Sequence, residues 1–289
     1  MVLELGGGAQ ILRALGWIFW AAFAIALVAA LWIPRRPLHK VLAAMLVVSP
    51  LVFWTARGTS AASKFQQRQA EAERRFQEHC KTAGVRIYKT VSDVEGVLLM
   101  KRRTSESSTT RAQYAMVDPY GADIWDDGYA ETMLWARSPT GRVRSTAYGR
   151  LGYQHAVLIN QDGRGYTRYE RTGARVRDIV EISRTPTTDL PRYGVTFEDI
   201  SSREDRDHWI AGGRLSVVDT MTGEILAERI GWMFDRGLGG NPALRSPWGF
   251  ARYNACPAFP TINDGRPVQS GQTRDFVEQV LLPSQEKRQ

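Results

Sequence analysis

Apolar residues are concentrated in two uninterrupted runs near the N-terminus. Residues 14–34 and 41–56 contain no charged side chain, and the short stretch between them is polar: Arg35, Arg36, His39 and Lys40. As helices these runs would be ~31 Å and ~24 Å long, against a hydrocarbon core of roughly 30 Å. Pro50 in the second run is tolerated in membrane helices. The pattern predicts two transmembrane helices, about 14–34 and 41–56, that form a hairpin.

The second run has two other interpretations. Its length also suits a buried helix of a water-soluble domain or the apolar core of a signal sequence. Small residues that could form a cleavage site follow it at 59–63. A full span already precedes the run, and this order favours a second span.

Polar residues dominate after residue 56, but helix propensity stays high. Ser63 can cap a helix, residues 66–73 are strong helix formers, and Gly84 is typical of a helix end. A few less polar side chains fall near one helical face: Phe65, Ala72, Phe76 and Cys80. The sequence predicts a stalk helix within 57–83 that packs through this stripe.

Residues 84–289 have the texture of a β-rich domain. Short runs rich in β-branched and aromatic residues occur at 85–88, 96–100, 165–169 and 193–197. The clearest local pattern is a hairpin in which 214–218 and 224–230 flank a turn that ends at Gly223. A helical pattern covers 274–282. Because alternating βα units are absent, we expect an α+β fold with a mainly antiparallel sheet.

Charge near the apolar runs indicates which side of a membrane the β-rich domain would occupy. The connection at 35–40 is basic, whereas the N-terminal tail carries Arg13 offset by Glu4. Basic loops stay in the cytoplasm, so this asymmetry favours export of the domain. Three basic residues after the second run oppose it: Arg57, Lys64 and Arg68. They weigh less because long domains translocate largely regardless of charge. The predicted location is a bacterial inner membrane with a periplasmic domain.

The two cysteines, Cys80 and Cys256, both lie in the predicted exported part. Such a pair usually forms a disulfide in an oxidising compartment. The bridge would close a long loop and stabilise the fold by about 5 kcal/mol through chain entropy. The alternative is two separate buried thiols.

Catalytic motifs do not stand out in this sequence. It contains neither a Gly-x-Ser-x-Gly elbow nor a Walker loop, and its four histidines do not show zinc-ligand spacing. The sequence therefore predicts no catalytic, cofactor or metal site. A weaker hypothesis concerns Asp126 and Asp127, which lie beside aromatic residues, and Glu198. Glycosidases use paired carboxylates in such surroundings, although solvated acidic turns have the same composition.

Residues 137–184 contain ten arginines against four acids, with tyrosines between them. Arginine and tyrosine are enriched in protein interfaces. The predicted interaction surface comprises Arg144, Tyr148, Arg150, Tyr166, Arg168 and Tyr169. The same mixture can contact phosphates and bases, but export of the domain would disfavour nucleic acid.

Together these patterns predict a membrane-anchored periplasmic domain that binds another envelope protein, as an assembly component or an immunity protein. The expected partners are the lipid bilayer and that protein. Two alternatives stay open. One is a membrane-anchored hydrolase of envelope polymers that uses Asp126, Asp127 or Glu198. The other is a cytoplasmic-facing domain that binds nucleic acid through residues 137–184.

Overall fold

The computed structural model describes residues 6–32, 37–103, 113–122, 124–135, 152–176, 179–240, 246–262 and 264–284. The chain divides into two compact units, Met1–Gln67 and Arg68–Gln289. The division falls inside the stretch that the sequence predicts as a stalk.

Two long helices occupy the first part of the chain, α1 at Gly6–Trp32 and α2 at Pro37–Cys80. The stretch predicted as a stalk helix is helical as far as Cys80, but it continues α2 from the second apolar run instead of forming a helix of its own. Across the described residues, neither α1 nor α2 nor any other helix has the length and apolar character needed to cross a membrane. The membrane hairpin stays a prediction.

The second unit contains the remaining elements. The described strands are β1 Gly84–Ile87, β2 Val91–Val94, β3 Gly96–Leu99, β4 His155–Ile159, β5 Tyr166–Val176, β6 Ile179–Thr187, β7 Tyr193–Asp199, β8 Ile210–Asp219, β9 Ile225–Phe234, β10 Ala255–Cys256 and β11 Leu281–Pro283. The described helices are α3 Asp127–Leu134, α4 Arg203–Asp207, α5 Pro247–Ala251 and α6 Gln272–Val280.

Nine of these strands form one mixed sheet in the order β1-β9-β8-β7-β3-β4-β5-β6, and β10 also pairs with β9. Within it β3 runs parallel to β4 and β7, and the other pairs are antiparallel. A small parallel pair joins β11 to β2. The predicted α+β class with a mainly antiparallel sheet is therefore confirmed.

The hairpin read from the sequence is the β8–β9 pair, and both strands extend further than predicted. Gly223 adopts φ +75° and donates its N–H to the Asp219 carbonyl at 2.8 Å, which explains why glycine ends this turn. The predicted C-terminal helix ends earlier than expected. Leu281 leaves α6 because it pairs with Val91 in the small sheet.

The large sheet buries different residues on its two faces. Alternate positions of β8, such as Ala211, Leu215 and Val217, belong to the cores that α3, α5 and α6 cover. Ile210 points to the opposite face. There it joins side chains of β9 and of the last turns of α2: Ala72, Phe76, Ile230, Trp232 and Phe234. One face is thus covered broadly, and the other is covered around the end of α2.

The end of α2 is fastened to β9 and β10. The Phe76 ring lies 5.6 Å from that of Phe234, and His79 stacks on Trp232 at 3.8 Å. Cys80 forms a disulfide with Cys256, with a Cα–Cα distance of 5.5 Å, so the predicted bridge is present. The predicted packing stripe is partly correct, because Ala72 and Phe76 are buried whereas Phe65 is exposed.

Candidate functional site

The acidic candidates Asp126 and Asp127 lie at the start of α3. Asp126 adopts φ +52° just before the helix and donates its N–H to the Arg103 carbonyl at 2.7 Å. Asp127 opens the helix, and its carboxylate oxygens contact Arg102 at 2.5 Å and Arg184 at 3.0 Å. The turn therefore brings Asp127 into a network of ion pairs.

The electrostatics of this network do not suit general acid catalysis. Burial raises the pKa of Asp127, but hydrogen bonds from Tyr169 and Arg102 outweigh it and hold that pKa below its usual value of 3.8. Burial and the hydrogen bond to Asp127 raise the pKa of Tyr169 to about 12. A general acid near neutral pH needs a raised carboxyl pKa. Asp127 is instead an ionised partner of arginines and of a neutral phenol.

Glu198 lies on the other face of the sheet. In β7 the side chains of Val195 and Phe197 enter the core that contains α3, so the alternating Glu198 faces away from it. Its carboxylate contacts Arg214 at 2.7 Å, across the β7–β8 register. The structure therefore does not bring Glu198 together with Asp126 and Asp127, and the three carboxylates do not form one acidic site.

The predicted arginine and tyrosine surface is only partly described. Arg144, Tyr148 and Arg150 lie outside the described residues. Tyr166 and Arg168 occupy one face of β5, and Tyr169 occupies the other. Arg168 contacts Glu170 at 3.1 Å, whereas Tyr169 is buried, with the Arg184 guanidinium 5.5 Å from its ring. The described members of this set therefore do not share one exposed face.

A buried ion pair beside this network was not predicted. Arg103 and Asp118 approach to 3.0 Å, with side chains only 3% and 4% exposed. A Cβ at Gly213 would lie 1.9 Å from an Asp118 carboxylate oxygen, and one at Gly121 would lie 2.2 Å from the other. Glycine at both positions lets the carboxylate approach the backbone of β8 and of its own turn closely. Sequence could not reveal this contact, since the partners come from separate loops and a distant strand.

The ion pair borders a cavity of about 110 Å³, lined by Arg102, Arg103, Met116, Val117, Asp118, Ala122, Trp125 and Phe197. Sites for drug-sized ligands usually measure roughly 300–1,000 Å³. The cavity has room for water or a small ion, but not for a polymer chain. In the part of the chain that the structure describes, no group of three or more His, Cys, Asp or Glu side chains could hold a metal ion.

A second feature that the sequence did not predict is the exposed edge of the large sheet. Strand β1 is its last strand, and the side chains of Val85, Ile87 and Tyr88 are exposed. Position in a sheet depends on long-range pairing, so the sequence of a short strand does not reveal that it is an edge. The features that could have indicated an exposed edge strand are its short length and its apolar residues at alternate positions.

No protein-family model matches the chain, and no match is found among curated proteins or solved structures. Function is therefore inferred from the residues and geometry of this chain.

Proposed function

We propose that this protein is anchored in a bacterial inner membrane and that its β-rich unit binds another protein in the periplasm. The observation that carries the proposal is the Cys80–Cys256 disulfide. Disulfides persist in oxidising compartments and are rare in the cytosol. This bridge also joins two segments separated by 176 positions, so strands β1 to β10 lie within the loop that it closes, whereas α6 and β11 follow it.

The side chains of α1 support the membrane part of the proposal. Several large apolar residues of this helix are exposed: Trp17, Ile18, Phe19, Trp20, Ile25, Val28 and Trp32. In water such a surface is unfavourable by about 25 cal/mol per Å². Tryptophans near both ends of the apolar run match the aromatic belts of membrane helices.

The end of α2 supports a tethering role. Besides the disulfide, Glu73 contacts Arg236 at 3.0 Å, Arg75 pairs with Glu204, and Phe76 is buried. The last turns of α2 are thus held to the sheet by covalent, ionic and apolar contacts, as a tether to the β-rich unit would require.

Binding is better supported than catalysis by the described candidate residues. Asp127 and Glu198 are engaged by arginines and lie on different faces of the sheet. The exposed apolar residues at β1 are instead the kind of surface through which proteins associate. The hydrolase hypothesis gains no geometric support from these acids.

Thiol labelling in cells tests the proposed compartment. With the outer membrane permeabilised and the inner membrane intact, a membrane-impermeant maleimide should label Cys80 and Cys256 only after reductant is added. The Cys80→Ser variant is the matched control, because its single remaining thiol should react without reductant. Labelling that requires disruption of the inner membrane would contradict the proposal.

The partner is tested separately. Affinity purification of the full chain from solubilised native membranes should recover one protein in stoichiometric amount. Failure to recover such a protein would count against a binding function, while leaving the thiol result on location intact.

A further inference from the structure

Strand β1 leaves one side of the sheet open for pairing. It pairs antiparallel with β9, and no strand of the described residues pairs with its other side. The Tyr88 N–H donates to the Leu226 carbonyl at 2.9 Å, which fixes Tyr88 as a residue whose backbone faces β9. Because hydrogen-bonded and non-hydrogen-bonded positions alternate in antiparallel pairs, Arg86 also faces β9. The backbone N–H and C=O groups of Val85 and Ile87 therefore point outward.

The side chains of the outward-facing residues are apolar and accessible. Val85 is 46% exposed and Ile87 is 39% exposed, and they lie on the same face of β1. Ile225, at the start of β9, is also exposed, but a register shift in the β8–β9 pair places it on the other face of the sheet. Free backbone groups and exposed apolar side chains thus coincide along one edge.

The opposite edge of the sheet, β6, is built differently. It carries Pro186, which cannot donate a backbone hydrogen bond, and the exposed charged residues Glu181 and Arg184. Proline and charge are the usual means by which an edge strand avoids pairing with other chains. Strand β1 contains no proline, and its one charged residue is Arg86. The two edges therefore differ in the features that block strand addition.

Charge around β1 indicates what kind of strand would fit. Residues 81–89 carry Lys81, Arg86 and Lys89 and no acidic residue. Lys81 and Lys89 pair with Glu78 and Glu224, and the Arg86 guanidinium donates to the Thr82 carbonyl. Glu228 lies opposite Arg86 in the β1–β9 register, but its carboxylate accepts from the Tyr88 hydroxyl and lies 3.6 Å from Arg214. In a strand added beside β1, the residue opposite Arg86 would lie at a close, non-hydrogen-bonded position. An acidic side chain there would be favourable.

We propose that β1 accepts an extended segment of the partner protein as an added strand. Apolar side chains of that segment pack beside Val85 and Ile87, and an acidic side chain faces Arg86. This proposal rests on the protein-binding function proposed above and names the surface and the class of partner segment. It is an instance of binding by strand addition, in which backbone hydrogen bonds supply affinity and alternate side chains supply specificity.

A synthetic peptide with alternating valine and glutamate is the probe, and its valine–lysine counterpart is the control. Residue-resolved hydrogen exchange on the full-length protein in detergent should show rapid exchange at the amides of Val85 and Ile87. The valine–glutamate peptide should protect both amides, and the control should bind more weakly. Absence of binding, or protection only elsewhere, would overturn the proposal. Protection that rises with protein concentration without peptide would assign the edge to a second copy instead.

Two variants make the test specific. Ile87→Pro removes an outward N–H without removing a bond to β9, and should weaken peptide binding about tenfold, whereas Ile87→Val should change it little. Arg86→Glu, at an exposed position, should reverse the preference between the two peptides. If Ile87→Pro still recovers the cellular partner as well as the unaltered chain does, strand addition is wrong but the binding function stands. If the unaltered chain recovers no partner, the proposed function itself fails.

Discussion

The buried pair of Arg103 and Asp118 gives a quantitative test of how the β-rich unit is stabilised. Asp118→Ala would remove the carboxylate that lies 3.0 Å from the Arg103 guanidinium, at a site where the Arg103 side chain is 3% exposed. Removal of one partner of a buried pair typically costs about 3–5 kcal/mol. Arg103→Met keeps an apolar side chain near the Phe197 ring, which the guanidinium now overlies at 4.5 Å. In that variant the Asp118 carboxylate would still accept the Gly121 N–H at 2.9 Å, so we expect the free energy of unfolding to fall by about 3 kcal/mol.

The double variant separates the ion pair from its surroundings. In the Arg103→Met/Asp118→Ala double variant both charges of the pair are removed. Its free energy of unfolding should therefore fall by much less than the sum of the decreases in the two single variants. We expect a coupling energy of about 2–3 kcal/mol. The assay is urea unfolding of the full-length protein with its disulfide intact, followed by tryptophan fluorescence, since Trp125 lines the adjoining cavity. If the decrease in the double variant equals the sum of the two single decreases to within about 0.5 kcal/mol, the reasoning is refuted.

Three further predictions concern the contacts that hold the unit together. Replacement of both Cys80 and Cys256 by serine should lower the free energy of unfolding by about 5 kcal/mol in urea unfolding. If reductant does not change the urea midpoint of the unaltered chain, this prediction is contradicted. Asp127 has a folded-state pKa below 3.8, so its contribution is present above the unfolded-state pKa and is lost as pH falls through the folded-state value. Asp127→Asn should therefore flatten the dependence of stability on pH below about pH 4 in acid titrations monitored by circular dichroism, and an unchanged slope would exclude this role. Gly213→Ala should lower the free energy of unfolding by about 1–3 kcal/mol in urea unfolding, because its Cβ would lie 1.9 Å from the Asp118 carboxylate. Gly163→Ala is the control: its Cβ would lie in open space, so its destabilisation should be limited to the strain of a φ of +71°.

Several structural elements were predictable because their signals are local. The β8–β9 hairpin combines alternating apolar residues with a turn that ends at Gly223, and both features act within a few residues. The packed stripe at Ala72 and Phe76 follows from helical periodicity alone. The stretch predicted as a separate stalk helix instead continues α2 through Gly58 and Ser63, because a change from apolar to polar composition does not by itself end a helix.

The candidate site was less predictable because its members meet through strand order. Asp127 and Glu198 have similar local surroundings in sequence, yet α3 covers one face of the sheet and Glu198 points from the other. Tyr166 and Tyr169 are three positions apart on one strand, and this odd spacing places them on opposite faces. Composition gives the number of such residues, but it does not determine which of them lie on the same surface.

The sequence by itself determined the α+β class, the apolar N-terminal runs and the presence of two cysteines able to pair, because these depend on periodicity and composition. Only the tertiary structure decided that the cysteines meet, that Arg103 and Asp118 form a buried pair, and that β1 ends the sheet. The physical reason is that these contacts join residues of different elements, 15 positions apart for Arg103 and Asp118 and 176 for the cysteines. Their formation depends on how the whole sheet is ordered, a property that no short stretch of sequence encodes.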